Sequence, residues 1–276
     1  MTNSANTFAR HIIFSRHTFK AHDRFFLVSS ALVFAVCTTA TIIDCVHMSA
    51  MDGMSMAGGW TMSMMWMLMP DQTWFEAAAS FARMWLIMMV AMMMPVLFPM
   101  LRRYRQSVCT VRRSHLELLT LVVGTGYFSI WLLVGAAVFP LGFWLAELTM
   151  QYTLLASYVP ILEGVTVILA GALQFTLWKI HQLKCCLSIP NRSIPSTIVV
   201  AWQHGLRLGL KCTYCCAGLT LVLLVVGVMD PAAMALVAIA IAAERLATAG
   251  RQVAKLIGIV LVGIGLYMLI HALRFK

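Results

Sequence analysis

Seven apolar runs limit what this chain can fold into. They are Phe25–Cys45, Phe81–Leu101, Leu116–Phe139, Val159–Ile180, Gly209–Met229, a shorter one at Ala232–Leu246, and Val253–Leu273. A helix needs about 20 predominantly apolar residues to cross the roughly 30 Å hydrocarbon core of a bilayer. Composition agrees: 61% of the residues are hydrophobic and 11% charged, whereas a soluble domain is about half apolar and a quarter charged. The expected fold is therefore all-α, a polytopic transmembrane helix bundle of about seven spans. No polar segment is long enough for a separate soluble domain. The chain divides into a basic arm over 1–24 and a single membrane domain over 25–276. A cleaved signal peptide is the competing reading of the first run. The long charged arm and the length of the apolar run favour a retained helix.

The basic residues orient the bundle. With the N-terminal arm inside, the inner side holds four in the arm, five in the loop from Arg102 to Arg113, five from Lys179 to Lys211, and Arg245, Arg251 and Lys255. That leaves Arg83, Arg274 and Lys276 outside or at its edge. The positive-inside rule selects this orientation. The expected location is the bacterial inner membrane, multi-pass. The formal charge of +10 is then a topology signal, and no nucleic-acid partner is needed to explain it.

This orientation puts an external loop at 46–80. Cys45 to Met69 holds nine methionines and no lysine or arginine. A thioether is a soft, uncharged ligand that suits Cu(I). His47, Met48, Met51, Met54, Met56, Met62, Met64 and Met65 are the candidate ligands, and Gly53, Gly58 and Gly59 give the segment freedom to close around an ion. Methionine also fills apolar interiors well, so packing is the competing reading. The polar Ser49, Asp52 and Ser55 mark a wet segment and favour metal. The second run carries seven more methionines. Met84, Met88 and Met92 form one i,i+4 row, and Met89 and Met93 form the adjacent row. Met88, Met92 and Met93 are candidate stations for an ion inside the bundle, with lipid-facing or packing surface as the alternative.

A cytoplasmic connection at 181–208 contains cysteine and histidine, and Lys211-Cys212-Thr213-Tyr214-Cys215-Cys216 follows it. Cys212 and Cys216 are i,i+4 and Cys215 lies beside them, so the three thiols can converge. Read as the start of a helix, this motif has its thiolates favoured by the positive helix end and by Lys211. Converging thiolates suit Cu(I), and Zn(II) is possible there. Cys186, in the pair Cys185-Cys186, is a further candidate. Several motifs are absent: a zinc-protease HExxH, a GxSxG, a P-loop and a dinucleotide fingerprint. No catalytic residue set is expected.

The pattern resembles a bacterial family of predicted metal-binding integral membrane proteins. The residues that carry the resemblance are Trp85, Met88, Ala91, Met92, Met93 and Pro95; Gly126, Tyr127 and Trp131; and Ala170, Gly171, Gln174 and Lys179. It continues through Cys186, Pro190, Gly209, Leu210, Cys212, Cys215, Cys216, Gly227, Met229 and Glu244. The match runs from about residue 81 to 272. The chain departs from the pattern at Gln182, Leu187, Ala217 and Arg245, where the family usually has cysteine, arginine, tryptophan and lysine. The resemblance implies copper or other metal handling.

Three functions compete. In the favoured one, the chain binds Cu(I) and passes it between the external methionine loop and the inner cysteines. In the second, it is an assembly factor that delivers copper to a membrane metalloenzyme without translocation. The third is a membrane thiol oxidoreductase using Cys212 and Cys215, and it lacks a thiol pair on the oxidising side. The partners expected are the lipid bilayer and a copper chaperone or copper membrane enzyme.

Overall fold

The computed structural model describes residues 21–49, 53–56, 59–67, 72–108, 113–187, 197–247 and 249–274. Eight helices account for nearly all of them: α1 (Ala21–Ser49), α2 (Trp74–Ser107), α3 (Arg113–Gln151), α4 (Thr153–Leu173), α5 (Leu177–Leu187), α6 (Ile198–Val226), α7 (Pro231–Leu246) and α8 (Gly250–Arg274). Between α1 and α2 lies a small antiparallel hairpin, β1 (Met54–Ser55) with β2 (Thr61–Met62), followed by a 3-10 turn at Met64–Trp66. The fold is all-α, as expected. Six helices (α1 to α4, α6 and α8) are long and apolar enough to cross a membrane. The other expected span is α7, whose 16 residues reach about 24 Å, less than a hydrocarbon core.

Local chemistry sets the helix ends. Thr73 starts α2 with a capping box: its side chain accepts from the Glu76 N–H, and its own N–H donates to the Glu76 carboxylate at 2.8 Å. Two orphan donors are satisfied at once. The helix therefore begins a full two turns before the apolar run. At α7, Asp230 accepts from the Ala232 N–H at 2.8 Å and Pro231 occupies the first turn, where its missing N–H costs nothing.

Further boundaries differ from expectation. The third span does not end near Pro140; α3 continues through it to Gln151, and a proline is tolerated inside so long an apolar helix. The fourth closes at Leu173, and a turn through Gln174 and Thr176 separates it from α5. From sequence, residues 198–210, with Trp202, His204 and Arg207 among apolar residues, suggest a segment lying in the interface plane. They are the first turns of α6, packed against α3 rather than laid flat.

Glycine explains that packing. A methyl group at Gly126 would sit 2.8 Å from the Trp202 carbonyl oxygen, and one at Gly209 would sit 2.8 Å from that of Tyr127. Gly205 presses on the Val123 carbonyl more closely still. Small residues at such a seam let two helix backbones approach. Gly164, Gly171, Gly258 and Gly265 make the same kind of seam between α4 and α8. The core between α2, α3, α6 and α7 then holds Trp85, Met88, Met89, Met93, Tyr127, Trp131, Cys212 and Ile241, all 2% exposed or less. By contrast α1 buries only Phe26, Ser30 and Cys45 among its described side chains, and turns Val28, Leu32, Val36 and Ile43 outward.

Candidate metal centre

Four helices meet at Cys212. It lies on α6, and its sulfur is 3.8 Å from that of Cys216, one turn on. Across the interface, the Met93 thioether of α2 comes to 3.9 Å from the same sulfur. Tyr127 of α3 donates its hydroxyl to Cys212 Sγ at 2.8 Å, and Arg245 of α7 donates from one guanidinium nitrogen at 2.7 Å. The other guanidinium nitrogen reaches Met100 Sδ at 3.8 Å. A sulfur that accepts from a phenol and a guanidinium has the hydrogen-bonding pattern of a thiolate. Cys212, Cys215, Cys216 and Met93 are all 1% exposed or less.

The spacing fits one shared ion. Two sulfurs bound to a single metal at about 2.3 Å lie about 3.8 Å apart at the tetrahedral angle and about 4.0 Å at the trigonal one. Both sulfur–sulfur distances from Cys212 fall in that interval. Cys216 is within hydrogen-bonding reach of Cys215 as well as Cys212. Even so, no group of three His, Cys, Asp or Glu side chains among the described residues is placed to hold an ion. Met93 is the further sulfur beside the thiol pair.

A second buried cluster adjoins the first. Lys179 of α5 pairs with Glu244 of α7 at 2.7 Å, both side chains 5% exposed or less. The same ammonium donates to the Cys215 carbonyl at 2.6 Å. That carbonyl belongs to α6, so the lysine ties three helices together behind the thiols. Trp85 supports the front, its indole N–H donating to the Trp131 carbonyl at 2.9 Å.

The candidate residues from sequence divide into three groups. Met88, Met92 and Met93 all face inward and are buried, so the methionine rows of α2 are not a lipid surface. Cys212 and Cys216 are brought together with Met93. Among the loop residues, His47 is exposed, Met48, Met56 and Met65 are half-buried, Met54 is exposed opposite Met62 in the hairpin, and Met62 is buried. His47, Met48 and Met65 share one cavity. The loop is less free than its glycines suggested: Trp60 donates to the Ala156 carbonyl at 2.9 Å, and the Trp66 ring lies over Gly142 and 5.7 Å from Phe81. Met51 and the side chains of Met64 and Cys186 lie outside the described residues.

One sequence argument fails on geometry. Cys212 does not open a helix; α6 starts at Ile198, and the field of a helix end fades within about one turn. The positive charge facing the sulfur is the Arg245 guanidinium instead. Sequence reading missed Arg245 and Met100 as neighbours of the thiols. The available signal was an ionisable pair, Glu244-Arg245, at the end of an apolar run, where buried charges commonly mark function.

A family model described as a copper chaperone, PpoB2, matches residues 82–268. No curated protein and no solved structure matches the chain. The matched stretch spans α2 to α8 and contains the thiols, Met88, Met92, Met93, Tyr127, Lys179, Glu244 and Arg245. It agrees with the metal handling implied by the sequence resemblance and names the metal. The match covers well over half of the chain, which therefore belongs to the PpoB2 family of copper chaperones.

Proposed function

We propose that this chain is a membrane-embedded Cu(I) chaperone of the bacterial inner membrane. It takes copper from an outer methionine-rich loop and holds it at Met93, Cys212 and Cys216. The convergence of two thiols and a thioether at 3.8 and 3.9 Å carries this reading. Thiolate and thioether together select Cu(I) over hard cations and, through the thioether, over Zn(II). Met88 and Met92 stand one and two turns beyond Met84 on the same face of α2, so an ion can move by exchanging one soft neutral ligand for the next. Arg245 and Tyr127 hold Cys212 Sγ in place and balance its charge while no ion is bound. Cys215 is a supporting thiol beside Cys216. Cys186 and the loop methionines remain candidate ligands on either side of this centre.

The alternative, delivery to a membrane metalloenzyme without translocation, uses the same centre. The two differ only in where copper leaves. Cellular uptake of labelled copper separates them.

The test is a Cu(I) competition titration against a chromophoric chelator under reducing conditions. It compares the full-length protein with Cys212→Ser, Cys216→Ser, the double variant and Met93→Leu. Two thiols on one ion act as a unit, so each single serine change is expected to cost nearly as much affinity as both together. One copper equivalent should disappear in the double variant. Retention of every equivalent there would reject the thiol–thioether centre.

A further inference from the structure

Where the loop meets the first turns of α2, the bundle has a half-open cavity of about 210 Å³. Its wall includes thioethers from three separate segments: Met48 of α1, Met65 and Met67 of the loop, and Met84 of α2. Asp44, His47, Gln72, Ser80 and Arg83 form its polar lining. Asp44 Oδ2 is buried without a hydrogen-bond partner. A buried carboxylate oxygen left unpaired is costly, and it is expected where a cation belongs.

We infer that this cavity is the loading site for Cu(I), with Met67 and Met84 as ligands and Asp44 supplying the negative charge that four neutral thioethers lack. The inference rests on the proposed function and adds the place where copper enters the bundle. Four thioethers disfavour the hard cations that a lone carboxylate would collect. The volume admits several waters at about 30 Å³ each, so a partly hydrated ion can enter and exchange water for sulfur in place. Arg83 is the opposing charge in the wall, and it keeps the site weak enough to release its ion inward.

Position links the two sites. Met84 lies in the cavity and Met93 in the thiol centre, nine residues on along one helix, a rise of about 14 Å. Met88 and Met92, each 5% exposed or less, fill the interval. Met84 is therefore the first rung of the methionine row, half-buried in the cavity wall.

The test uses full-length protein with Cys212→Ser and Cys216→Ser already in place, so that the thiol centre is silent. Cu(I) titration of this background should show one remaining equivalent. Adding Met67→Leu with Met84→Leu, which nearly conserves volume, should weaken that equivalent at least about tenfold. Asp44→Asn should weaken it, and Arg83→Gln should tighten it, a change that a merely structural role would not produce. An unchanged equivalent in the Met67/Met84 variant, or one abolished only by Met54→Leu with Met56→Leu, would overturn the loading site and leave the thiol centre standing. A serine background that loses no equivalent would instead overturn the centre.

Discussion

Replacing Lys179 by methionine should be among the most damaging single changes in the protein. The lysine lies 2.7 Å from Glu244, and both side chains are shielded from solvent. Removing one partner of a buried pair typically costs about 3–5 kcal/mol, because the other charge stays behind uncompensated. The same change removes the charge-assisted bond to the Cys215 carbonyl, worth about 1.5–3 kcal/mol alone. The two losses overlap, so a total near 4–5 kcal/mol is expected. Glu244 would then turn to the neighbouring Arg245 and draw its guanidinium off Cys212, so Cu(I) affinity should change along with stability. Adding Glu244→Leu removes the stranded charge and should recover most of the loss. The assay is thermal unfolding in detergent micelles, followed by alkylation of Cys212, Cys215 and Cys216, which are sealed in the folded bundle. A single variant that costs under about 1 kcal/mol, or a double variant less stable than the single, would refute the argument.

Gly205→Ala should force α6 off α3 at the Val123 carbonyl and cost about 1–3 kcal/mol by overpacking; the same alkylation assay reads it, and an unshifted midpoint would contradict the seam. Arg245→Lys keeps the positive charge at the thiols and should retain Cu(I) binding, whereas Arg245→Leu should lower affinity about 10–100-fold; equal titration curves would show that the charge is irrelevant. Met88→Leu with Met92→Leu should leave stability within about 1.5 kcal/mol yet slow loading of the thiol centre, measured by stopped-flow transfer from a Cu(I) chelate. Reporter fusions after Ser63 and Ser114 should report outside and inside respectively; the opposite pair would reverse every side assigned to the loop and the thiols.

The helices were legible because lipid leaves the backbone few options, and a 20-residue apolar run has one answer. The inward methionines of α2 were half-legible: i,i+4 rows define a face but not what the face meets. The start of α6 was hidden because Trp202, His204 and Arg207 look like an interfacial segment until Gly205 and Gly209 are seen against α3. Tyr127 and Arg245 are 85 and 33 residues from Cys212, and no local spacing encodes such pairings. The Cys212–Cys216 pair, by contrast, follows from helical spacing alone. Its thioether, Met93, is 119 residues away and becomes a neighbour only through packing.

The sparse attachment of α1 has a consequence for how such a chain can change. Its described side chains touch the body mainly through Phe26, stacked 5.3 Å from Phe98 and covered by Arg105, and through Ser30 and Cys45. The family match begins at residue 82, after both α1 and the methionine loop. A front end whose first helix is held at so few points can lengthen, shorten or exchange sulfur ligands at its exposed positions without disturbing the thiols. The thiol pair, tied by Tyr127, Arg245 and the Lys179 pair into four helices, has no such freedom. Supply and custody of the metal are thus separable traits within one polypeptide. The first can be tuned to whatever form of copper the surroundings offer, while the second keeps its geometry.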